Sequence, residues 1–147
     1  MQVDFYQLSR DPVEKVLPDI ASRIVEGGGR LLVVSGQQTL LDTIGEGLWV
    51  WEKQPVSFLA HGRADGEAAG VQPILLSDRC EPDNGARFVA LVDGLWRDAA
   101  LAFERAFYFF DAATIDGARE SWRMLSRSED VTPRFWKQEG RRWVQGP

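Results

Sequence analysis

Apolar and polar positions along the chain alternate between two periods, and each change of period marks an element. Val3 to Leu8 alternates as a strand does. Asp11-Pro12 then reads as an N-cap followed by proline at the first helical position. Val13, Val16, Leu17, Ile20 and Ile24 recur at helical spacing, with Pro18 inside the pattern as an expected kink. Gly27-Gly28-Gly29 stops this helix. Arg30 to Ser35 is a continuous apolar run of the kind buried on both faces of a sheet.

Leu40, Leu41, Ile44 and Leu48 mark a second helix ending near Trp49. Ser57 to Ala60 is read as a short strand and His61 to Gly70 as a loop. Pro73 to Leu76 and Arg87 to Val92 follow as strands, with a polar loop around Asp83-Asn84-Gly85 between them. A helix is expected around Ala99 to Arg105, then the aromatic run Phe107 to Phe110, then a helix from Thr114 to Arg127. Phe135-Trp136 and Trp143 predict a terminal extended segment or hairpin. The alternation of strands and helices predicts a three-layer α/β/α domain over residues 1–147 with a mainly parallel central sheet, Rossmann-like but without a phosphate-binding loop.

That last qualification comes from the glycines. The first strand–helix turn, Ser9-Arg10-Asp11-Pro12, contains none, so its amides cannot approach a pyrophosphate closely. Gly27 to Gly29 follows a helix and precedes a strand, the reverse of a phosphate loop. Gly45 and Gly47 fall within a helical pattern. No nucleotide cofactor is therefore expected.

Composition narrows the function further. One cysteine, Cys80, and one histidine, His61, are too few thiolate and imidazole ligands for a zinc site. A serine-type hydrolase would have to use His61, which stands in Phe-Leu-Ala-His-Gly with no Gly-x-Ser-x-Gly elbow in the chain. A hydrogen-bonded structural histidine is the better reading. No metal, cofactor or catalytic residue is assigned, and the chain is read as a non-enzyme. The single cysteine and the lack of an apolar run of spanning length or a signal-like start point to a cytoplasmic protein with no membrane partner.

Charge supplies the first positive lead. The net charge is −5, against a broad nucleic-acid surface and hence against direct sequence-specific DNA binding. Residues 118–147 nevertheless carry +3, leaving −8 on residues 1–117. A basic end on an acidic body fits either a local site for an acidic partner or ordinary solvated helix charge. On the last helix, Arg119, Arg123 and Arg127 follow at i, i+4 and i+8, with Trp122 beside them. Guanidiniums next to an indole would hold an apolar anchor accompanied by carboxylates. A core tryptophan flanked by solvated arginines explains the same spacing.

Ordered segments across nearly the whole chain resemble the chi subunit of bacterial DNA polymerase III. They are Val3 to Leu8, Leu41-Asp42 with Leu48-Trp49, Phe58 to Gly62, Gln72 to Ile74, Leu91 to Gly94, Phe103 to Arg105, Ala118 to Arg123, and Trp136 to Trp143. Ala60, where proline is expected, and the additional Trp51 depart from the pattern. The resemblance implies a non-catalytic accessory subunit of the clamp-loader assembly in DNA replication. It implies a grip on the acidic C-terminal tail of single-stranded DNA-binding protein, and a link through the psi subunit or another clamp-loader component. Carried over by position, the tail site comprises Arg119, Trp122, Arg123 and Trp49, with Phe58 lining the same region. A tail ending in an aromatic residue would place its ring between Trp49 and Trp122. Trp51, Trp96 and Phe109 are weaker candidates for a psi contact. The alternatives are a small α/β nucleotide-binding enzyme and a partner of a DNA-repair helicase.

Overall fold

The computed structural model describes residues 1–50 and 59–146. Among these described residues, eight strands form one sheet in the order β3-β4-β2-β5-β6-β1-β7-β8. They are β1 (Gln2–Gln7), β2 (Leu31–Val34), β3 (Gly62–Arg63), β4 (Ile74–Ser77), β5 (Phe88–Leu91), β6 (Arg105–Phe110), β7 (Thr132–Glu139) and β8 (Arg142–Gln145). All pairings are parallel except β7 with β8, which form a terminal antiparallel hairpin.

Among the described residues, three helices, α1 (Val13–Glu26), α2 (Gln38–Trp49) and α3 (Ile115–Ser126), cover the sheet. Handedness decides which face each one takes. From β1 the chain runs through α1 to β2, and after α2 it reaches β3, both moves toward one sheet edge. From β5 it runs to β6 and through α3 to β7, toward the other edge. Right-handed crossovers in opposite directions put their connections on opposite faces. Accordingly α1 and α2 pack with Leu31, Val33, Ile74, Leu76, Phe107 and Phe109. On the other face, α3 packs with Phe5, Val34, Leu91, Tyr108 and Phe110.

Local chemistry explains the helix ends and one close contact. Gly28 has φ +83°, and the amides of Gly28 and Gly29 return to the carbonyls of Val25 and Ile24, so the expected glycine stop is real. Helix α1 runs through Pro18 without interruption. Pro18 has no N–H for the Glu14 carbonyl, and that oxygen faces Gly47 of α2, where a Cβ would stand only 2.8 Å away. Glycine at 47 is what lets the two helices approach there.

Several expectations need correction. Pro12, not Asp11, is the N-cap of α1, without a side-chain cap; Gln138 of β7 donates instead to the Asp11 carboxylate. The segment expected as a helix over Ala99 to Arg105 is a five-residue 3-10 turn, Asp98–Ala102, and Arg105 opens β6. Arg105 is drawn into the sheet by Asp4, to which its Nε donates over 2.6 Å. Leu59 and Ala60 are not in a strand, and the rest of that predicted strand lies outside the described residues. The expected loop holds β3 and a 3-10 turn, Ala69–Val71. Phe109 is fully buried in the α1–α2 core, so it is no surface anchor. Trp51 lies outside the described residues.

Candidate functional site

Two recesses compete for attention, and their chemistry separates them. The first, about 580 Å³, lies at the carboxyl ends of β1, β2, β5 and β6, where open α/β sheets bind nucleotides. Its wall carries Asp11, Glu14, Asp93 and Asp111 against Arg10. Several amides at this edge are already occupied, those of Arg10 and Asp11 by the Gln138 side-chain oxygen and others by carboxylates. Asp93 accepts from the Gly36 amide over 2.9 Å, and Asp111 accepts from the amides of Ala113 and Thr114. Asp93 is also held by both terminal nitrogens of Arg97, at 2.9 and 2.8 Å. Burial pushes the Asp93 carboxyl upward, but the hydrogen bonds from Arg97 and from the Gly36 and Leu95 amides outweigh it and hold it below the usual carboxylate range. Built-in carboxylates on the amides repel a phosphate.

The second recess, about 290 Å³, opens beside α3. Phe5, Phe110, Ile115, Ala118, Trp122 and Phe135 line it, with Arg119 and Gln7 at its polar rim. Strand periodicity builds the floor: Phe5 and Phe110 point to the α3 face, with ring centroids 6.4 Å apart. Trp122 stands edge-on to Phe5 at 5.1 Å and to Phe135 at 6.5 Å. Arg119 keeps a side chain 65% exposed, and its nearest carboxylate, Asp116, is 3.9 Å away. The result is an aromatic slot with an exposed guanidinium, in a long ion pair with Asp116, at its mouth. That pairing suits an apolar group that carries a carboxylate.

The other predicted residues do not join this slot. Arg123 and Arg127 line a separate groove on the far flank of α3, with Trp96, Asp98, Glu120 and Met124. Successive i, i+4 steps drift by about 40° around a helix, so the arginine stripe winds across the ridge of α3. Trp49 is on α2, on the opposite face of the sheet, 57% exposed, with its ring edge-on to His61 at 5.2 Å. One aromatic ring cannot sit between Trp49 and Trp122, because the sheet stands between them. Phe58 lies outside the described residues. His61 places Nδ1 2.8 Å from the Leu59 carbonyl. Sequence reasoning missed Phe5, Phe110, Ile115 and Phe135 as slot walls. Period-two alternation in β1 and β6 was the available signal for the first two.

A sequence profile of the DNA polymerase III chi subunit, HolC, matches residues 1–132. The chain belongs to this family. Membership makes it an accessory subunit of DNA polymerase III, a replication protein. The match ends at the start of β7, so the chi-family span includes α3 and the slot floor but not the hairpin that carries Phe135. No curated protein matches the chain. Among the described residues, no helix is long and apolar enough to cross a membrane.

Proposed function

We propose that this chi-family chain holds the acidic C-terminal tail of single-stranded DNA-binding protein at α3 and couples it to the replicase, without catalysing a reaction itself. The observation that carries this reading is the aromatic slot with Arg119 at its mouth. A terminal aromatic side chain would fill the slot, and its α-carboxylate would meet Arg119 in a charge-assisted hydrogen bond. Upstream aspartates would lie toward Arg123 and Arg127 across the helix. So short a contact gives roughly micromolar affinity and weakens with salt. Several tails on an oligomeric partner would raise it by avidity.

A coupling subunit needs a second, separate surface. Trp49 and Val50 are both strongly exposed on the opposite face of the sheet. We assign that surface to psi or another clamp-loader component, with a DNA-repair helicase as its alternative occupant. The two partners would then bind without competing. The nucleotide-binding alternative is disfavoured by the carboxylates in the strand-end crevice.

The test is a calorimetric titration of an acidic tail peptide ending in phenylalanine at low salt. Wild type is expected to bind, with Arg119→Ala and Trp122→Ala each about tenfold weaker. Absence of wild-type binding, or full binding by both variants, rejects the reading.

A further inference from the structure

One wall of the slot comes from beyond the family-matched span. Phe135 stands on β7, just past residue 132. Its ring stacks on Phe110 with centroids 6.3 Å apart at 27°, and meets Trp122 edge-on at 6.5 Å and 80°. It therefore bridges the floor of the slot and the indole.

The end of the chain holds that ring in place. The Gly146 amide donates to the Phe135 carbonyl over 2.8 Å, continuing the hairpin ladder past β8. A Cβ at 146 would stand 2.2 Å from Phe135 Cδ1 and 2.8 Å from Cε1. Glycine at this position leaves the space that the ring occupies. Strand β8 is the outer neighbour of β7, whereas β1 and the slot lie on its inner side. Any side chain at 146 would thus drive the ring inward, over the slot.

We propose that Phe135, seated against Gly146, is the specificity-determining residue of the slot and selects acidic peptides whose last residue is aromatic. The inference rests on the tail-binding reading of this site. A flat terminal ring gains contact with Phe135, Phe110 and Trp122 together, whereas a methyl group reaches none of them fully. Arg119 recognises the terminal carboxylate whatever the last side chain is, so charge gives affinity and Phe135 gives selectivity. The hairpin's own anchors, Trp136 to Asp4 and Gln138 to Asp11, keep this wall attached to the sheet.

The experiment uses two labelled acidic peptides that differ only in the last residue, phenylalanine or alanine, and reads affinity by fluorescence anisotropy. Wild type should prefer the phenylalanine peptide about tenfold. Phe135→Ala should reduce the preference to about twofold, through weaker binding of the phenylalanine peptide alone. Gly146→Ala should erode it in the same way by crowding the slot, and it leaves every core side chain unchanged if Phe135→Ala fails to fold. A wild-type preference that survives in folded Phe135→Ala, or in Gly146→Ala where the first variant does not fold, overturns the inference. Equal wild-type binding of both peptides through Arg119 also overturns it, while the tail-binding reading stands. Failure of wild type to bind either peptide rejects that reading, and the inference with it.

Discussion

The indole Nε1 of Trp136 donates to the carboxylate of Asp4 over 3.0 Å, fastening the last hairpin to the first strand. The same carboxylate accepts from Arg105 Nε and Gln2 Nε2 and is wholly buried. Removing a donor should cost less than removing the carboxylate, whose loss leaves Arg105 and the indole unpaired. Trp136→Phe is therefore expected to lower stability by about 1 kcal/mol, and Asp4→Ala by about 3 kcal/mol, in urea denaturation. Equal stability of both variants and wild type would show that the hairpin is not anchored this way.

Asp93 gives the fold a specific acid sensitivity. Its folded-state carboxyl is held below the ordinary value, so the unfolded chain takes up that proton more readily. The stability it contributes is fully present above the unfolded pKa of about 4 and is lost as pH falls through the folded value. Asp93→Asn should be less stable by about 2 kcal/mol at neutral pH, because Arg97 and the Gly36 amide lose a charged acceptor. Its stability should also fall less steeply below about pH 4. Parallel pH profiles for variant and wild type would contradict this assignment.

Gly47 tests the approach of α1 and α2. Alanine is ordinarily the better helix former by about 1 kcal/mol. Here its methyl would stand 2.8 Å from the main-chain oxygen of Glu14, which cannot swing aside as a side chain would. Gly47→Ala should therefore destabilise the protein, by about 1–3 kcal/mol, and thermal melting measures it. A raised melting temperature would mean that the helices separate freely at this point.

Much of this architecture was legible because local pattern and global fold agree. The unbroken apolar run at Leu31 to Val34, the Gly27 to Gly29 stop and the mainly parallel character of the sheet follow from period, turn chemistry and alternation. The candidate site was legible only in part. Spacing correctly put Trp122 beside Arg119, one turn apart on α3. Helical spacing gives the drift of Arg123 and Arg127 away from Trp122, but it could not show which flank of α3 the slot takes. Nor could it put Trp49 behind the sheet, because that depends on the direction of the crossovers. The 3-10 turn at Asp98 to Ala102 was read as a helix because its alanines favour one, while the tertiary demand of Asp4 for Arg105 starts the strand there. Phe135 was legible as part of a terminal extended segment or hairpin but not as a slot wall, because a wall built from a distant hairpin leaves no mark in local periodicity.

The central claim, that the partner tail seats on the α3 face and not beside Trp49, is most directly tested by the indole N–H resonances of the six tryptophans during titration with an acidic peptide ending in phenylalanine. The account predicts that the Trp122 signal shifts progressively to saturation while that of Trp49 stays in place. A shift of Trp49 with Trp122 unmoved would contradict it.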